Sequence, residues 1–140
     1  MKKLFLLFVS TLSLLAADMS PHVMPAPASA APVIDGKLDD ACWANALKFD
    51  RFNKLNLGTP ASLKTEALLT YDSQALYVAF KCFRKPGSKL RLLPEKGAYS
   101  NDHVEVMVDP NFTQNRYFHY LIGINGKIYT ASRTEGGHVG

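Results

Sequence analysis

Hydrophobic and polar positions change period several times along the chain, and each change marks an element. Residues 63–71 alternate, with Thr65, Ala67, Leu69 and Tyr71 on one side and Lys64, Glu66, Leu68 and Thr70 on the other. This period of two predicts a strand over Leu63–Tyr71. Asp72-Ser73-Gln74 predicts a turn. Ala75–Phe83 is apolar on both sides, which predicts a strand inside a sheet, covered on both faces. Lys85-Pro86-Gly87-Ser88 breaks the pattern, and residues 88–101 read as a long loop. His103–Asp109 alternates again, with Val104, Val106 and Val108 on the core side and Pro110 as the stop. Tyr117–Ile124 is a further strand. Asn125-Gly126 predicts a type I′ hairpin turn, and Lys127–Ala131 the returning strand. Residues 135–140 have no core character.

The N-terminal third reads differently. Lys2 and Lys3 precede the uncharged run Leu4–Ala17. This run is shorter than the roughly 20 apolar residues needed to span a bilayer, so residues 1–17 read as an export signal, with an N-terminal membrane anchor as the alternative. Ala28-Ser29-Ala30 offers a cleavage position as late as residue 30. Residues 18–32, rich in Pro and Ala, read as an extended linker without core material. The domain then occupies residues 33–140. Asp35-Gly36 predicts a turn. Asp39 or Asp40 caps a short helix over Ala41–Ala46, with Trp43 and Leu47 pointing inward together.

Five or six strands and one short helix give an all-β chain: an antiparallel, immunoglobulin-like β-sandwich that looks incomplete at its C-terminus. The 140 residues allow one domain, and 47% hydrophobic residues allow a packed core. The net charge of +4 includes the two leader lysines, and the remaining cations are scattered without interleaved aromatics. That speaks against a nucleic-acid partner. An export signal places the mature chain in the periplasm, at the cell surface or outside the cell, with no membrane contact once the signal is removed.

Cys42 and Cys82 are the two cysteines. In an exported chain they point to one disulfide between the helix and the end of a central strand. Two buried free thiols are the alternative. Catalytic motifs are missing: there is no P-loop, no H-E-x-x-H and no Ser/His/Asp order. Asp102 and Glu105 are an odd number of residues apart, so in one strand they cannot form a glycosidase carboxyl pair on one face.

Three stretches together resemble the family 9 carbohydrate-binding modules. They are Val33-Ile34-Asp35-Gly36-Lys37-Leu38-Asp39-Asp40-Ala41-Cys42-Trp43, then Leu68-Leu69-Thr70-Tyr71-Asp72 with Leu76-Tyr77-Val78-Ala79-Phe80, then Tyr99-Ser100-Asn101-Asp102-His103-Val104-Glu105-Val106-Met107-Val108-Asp109. Their order and spacing agree with the family from residue 33 to about 131. The resemblance implies a β-sandwich that binds sugar without catalysis, as an accessory module of secreted glycoside hydrolases. It implies Tyr99 as an aromatic stacked on a sugar ring and Glu105 as an acceptor for its hydroxyls. His119 stands where an Arg is expected, and family members continue for several more strands with a second stacking aromatic.

Read as residues, Tyr99, Asp102, Glu105 and His119 are suitable sugar-binding types. Each also has a plainer reading. Tyr99 could cover a core edge, and Glu105 and His119 could sit on a solvated sheet face. Asp102 could bond backbone in the loop-to-strand turn, which is its better reading. Trp43 is a core residue. Similarity of the family to DOMON-type domains adds an alternative, a haem held by Met107 and His119. A structural or adhesive domain without sugar binding is another. Family members also carry structural calcium. Asp35, Asp39, Asp72 and Asp109 are loop-adjacent acids, but no metal ligand is assigned among them.

Overall fold

The structure, a computed structural model, describes residues 24–93, 97–112, 116–134 and 137–139. The expected export signal and residues 18–23 of the expected linker lie outside the described residues. Among the described residues the chain is all-β, with seven strands and two short 3₁₀ turns, Ala41–Asn45 and Ala98–Ser100. The strands are β1 (Leu47–Phe49), β2 (Thr65–Tyr71), β3 (Leu76–Cys82), β4 (His103–Val108), β5 (Tyr117–Gly123), β6 (Ile128–Thr134) and β7 (Gly137–Val139). They form a three-stranded sheet, β1-β2-β3, and a four-stranded sheet, β4-β5-β6-β7. This is the sandwich-like, antiparallel architecture expected from the periodicity.

The described residues divide into two compact units: those of 24–47 with 69–77, and those of 48–68 with 78–139. In the first, the predicted helix is a 3₁₀ turn, opened by a bond from the Trp43 N–H to the Asp40 carbonyl (3.1 Å). Asp40 makes no side-chain cap, so the α-helix that a capped start would nucleate does not form. Cys42 and Trp43 are buried. Residues 26–28 do not run free as a linker. Ala28 N–H donates to the Tyr71 carbonyl (2.7 Å), and buried Thr70 donates its hydroxyl to the Ala26 carbonyl (2.8 Å). At the β2–β3 turn, Asp72 accepts from Gln74 N–H, Ala75 N–H and the Tyr77 hydroxyl, at 2.7, 2.9 and 2.8 Å.

β2 is the central strand of its sheet and β3 lies at the end. This reverses the expectation that β3 is the interior strand. The unpredicted β1 supplies the extra neighbour to β2. Ala67 and Thr70, on opposite faces of β2, are both buried.

The second unit contains the four-stranded sheet. Val104, Val106 and Val108 of β4 are half-buried, and Glu105 and Met107 lie on the other face. Glu105 pairs with Leu121 and Met107 with His119, and Leu121 and His119 pair with Tyr129 and Ala131. Cross-strand partners share a face. One face therefore carries Glu105, Met107, His119, Leu121, Tyr129 and Ala131. Leu121 and His119 are the buried residues of this sheet among those whose burial is described.

The β5–β6 connection differs from the predicted type I′ turn. Gly126 N–H bonds the Gly123 carbonyl (2.9 Å) and Gly123 N–H bonds the Lys127 carbonyl (2.9 Å). Only Gly126 has positive φ (76°). The loop is thus three residues, 124–126, closed by a left-handed glycine. Strand β7, in a segment expected to have no core character, pairs with β6 through Ser132–Val139, Arg133–His138 and Thr134–Gly137.

Candidate functional site

Backbone bonds fix the loop that carries Tyr99. Ser100 N–H donates to Gly97 O (2.9 Å) and Asn101 N–H to Ala98 O (3.1 Å), forming the 3₁₀ turn. The Asn101 side chain accepts from Leu93 N–H and donates to Gly97 O. Asp102 ties the loop to residue 91 twice: its N–H donates to Arg91 O (2.9 Å), and its carboxylate accepts from Arg91 N–H (2.8 Å). Asp102 thus acts on backbone, the plainer of its two sequence readings. It is not brought to the other three candidates.

Tyr99, Glu105 and His119 do come together. His119 Nε2 lies 2.8 Å from Glu105 Oε2, and His103 Nε2 lies 2.8 Å from Glu105 Oε1. The Tyr99 ring stands edge-on to His103 (centroids 5.8 Å, 86°) and tilted over His119 (6.4 Å, 48°). Tyr99 is 66% exposed, whereas His119 is 6% exposed. The tyrosine is therefore an open ring above a buried imidazole, not a lid on a core edge. His119 is no surface residue either, because its face of β5 also carries the buried Leu121.

His103 was not among the residues the motifs single out. The available signal was its position two residues before Glu105, which puts both side chains on one face. Its other ring nitrogen, Nδ1, lies 2.6 Å from the Asn101 carbonyl. With an acceptor at each nitrogen, the ring makes both bonds only when both nitrogens carry hydrogen. Partial burial of Glu105 alone would push its carboxyl up. The hydrogen bonds from His103 and His119 outweigh this and hold it below the usual glutamate value.

A cavity of about 290 Å³ lies beside this cluster, lined by Ala98, Tyr99, His119, Leu121, Tyr129 and Ala131. It joins two aromatic rings, an apolar floor and an imidazole, which suits a small ring with one apolar face and polar edges. Tyr129 is the second aromatic, and the register opposite Leu121 places it here.

The other expected groups take different places. Both cysteines are free: Cys42 is buried in the 3₁₀ turn and Cys82 is exposed at the end of β3. The expected bridge is therefore absent. Met107 and His119 are direct cross-strand partners on one face. Axial ligands must reach an iron from opposite sides of the macrocycle, which side-by-side neighbours do not do. Asp35 and Asp109 each accept a backbone N–H two residues on, as Asp72 does in its own turn. Among the described residues no group of three His, Cys, Asp or Glu side chains is placed to hold a metal ion. No described helix is long and apolar enough to cross a membrane.

No curated protein and no solved structure matches the chain. A family model described as carbohydrate family 9 binding domain-like matches residues 34–132, well over half of the sequence. That span contains both sheets up to Ser132 of β6 and every residue of the Tyr99–Glu105–His119 cluster. The chain belongs to the carbohydrate family 9 binding domain-like family.

Proposed function

We propose that the chain binds one sugar residue of a polysaccharide at the Tyr99–Glu105–His119 face and performs no reaction on it. The observation that carries this reading is the Glu105 carboxylate clamped by two imidazoles beside an exposed tyrosine ring. A carboxylate offers about four acceptor positions. The imidazoles use two, and the others remain for vicinal hydroxyls. Because Glu105 is held before the ligand arrives, little side-chain entropy is lost on binding. Tyr99 and Tyr129 give the apolar ring face its contacts.

The leader expected at residues 1–17 makes this an exported module, working in the periplasm, at the cell surface or outside the cell. We place it as an accessory to glycan degradation, beside a larger carbohydrate-active enzyme. The test is calorimetric titration with xylan and cellulose oligomers. Saturable binding that is lost in Glu105→Gln and Tyr99→Ala, with the sheet spectrum retained, supports the reading. Equal binding by the parent and both variants, or no binding to any glycan on a broad array, overturns it.

A further inference from the structure

A second and larger cavity, about 580 Å³, opens in the same unit on the other face of β4–β5. Its walls are Leu63, Phe80, Leu90, Val104, Ile122 and Ile124. Val104 and Ile122 face away from Glu105, so the groove opens on the other face of these strands, although His103 of the Glu105 cluster also lines it. These walls are mostly apolar, with Thr65 and Ser88 among the polar lining residues. Such walls suit a hydrocarbon body.

The rim is cationic. Arg84 and Lys89 line the groove, are exposed, and have no ionic partner among the described residues. Phe83, also a lining residue, has the ammonium groups of Lys64 and Lys81 at 5.1 and 5.3 Å from its ring centre. Asp102 is the one acid in the lining, and its carboxylate is engaged by Arg91 N–H. Apolar walls under unpaired cations complement a ligand with an apolar body and one anionic end. We infer that this groove binds a medium-chain organic carboxylate, its chain against the aliphatic walls and its carboxylate between Arg84 and Lys89.

Cys82 lines the same groove and is an exposed free thiol, whereas Cys42 is buried. This supplies a reporter. Decanoate, below its micelle concentration, is titrated into the full chain while the modification of Cys82 by a thiol reagent is followed. Saturable protection of Cys82 is expected, with the same Kd by calorimetry. Loss of a charge-assisted contact predicts that Arg84→Gln/Lys89→Gln weakens decanoate about tenfold. The same loss predicts that uncharged decanol binds the parent about tenfold more weakly. Tyr99→Ala leaves decanoate binding unchanged, which separates this site from the sugar site. If the double variant loses its sheet spectrum, Lys89→Gln alone is used, and its weakening must shrink as salt is raised. Absence of saturable binding to the folded chain overturns the inference. So does equal affinity for decanoate and decanol, or an affinity indifferent to the rim cations.

Discussion

Glu105 reaches His119 diagonally across the β4–β5 ladder, with Oε2 2.8 Å from Nε2, although Leu121 is its direct partner. Directly opposed side chains are closer, but a long side chain spans the diagonal. This leaves Glu105 Oε1 free to take the bond from His103 on its own strand. Two strands therefore meet at a single carboxylate.

That carboxylate makes stability pH-dependent in a defined direction. Its folded value lies below the ordinary glutamate value of 4.5. The stabilisation is thus fully present above that ordinary value and is lost as pH falls through the lower folded one. Urea midpoints measured from pH 7 to pH 3 should fall more steeply for the parent than for Glu105→Gln. Parallel acid limbs for the two proteins would refute the assignment.

Tyr99→Ala should separate binding from folding. The ring is mostly exposed, so unfolding free energy should change by less than about 0.5 kcal/mol. Sugar affinity should drop by about 1–3 kcal/mol through lost apolar area and ring contact. Calorimetry and urea titration on one preparation check both halves.

Leu121→Ala tests where the core of the second unit sits. At 2% exposure it is the most buried apolar side chain among the described residues. Truncation should cost about 2–5 kcal/mol by urea denaturation. Because Leu121 also floors the smaller cavity, sugar binding should weaken even at temperatures where the variant remains folded.

Gly123→Ala should disturb the β5–β6 turn without any φ penalty. A Cβ there would lie 2.8 Å from Asn125 Oδ1, which already accepts the Lys127 N–H at 3.1 Å. Moving Asn125 aside breaks that bond, at a cost of about 1 kcal/mol. The expected thermal destabilisation should largely disappear when Gly123→Ala is made in an Asn125→Gly background.

Free thiols give a direct count. Native protein should react at one cysteine, Cys82, and denatured protein at two, without prior reduction. A native protein that shows no reactive thiol, and gains two only after reduction, would contradict this.

Much of the fold is readable from residue order alone. The alternation of Val104, Val106 and Val108 against Glu105 and Met107 comes from the pleat of a single strand, a local steric property. The pairing of Tyr117–Ile124 with the segment after Gly126 is likewise local, signalled by the Asn125-Gly126 turn. These signals located β2 to β6 and put His103, Glu105 and Met107 on one face. They did not say which face is covered. Nothing within β5 distinguishes a solvated His119 from a buried one, because burial depends on residues far along the chain. The register that sets Leu121 opposite Glu105 buried His119, placed Tyr129 at the cavity and brought residues 14 apart within hydrogen-bonding distance. In the same way, three-residue β1 carries no periodic signal, and its pairing with β2 is what made β2 the central strand of its sheet. Alternation is written in neighbouring residues, whereas register and burial arise from contacts between segments that meet only in the folded chain.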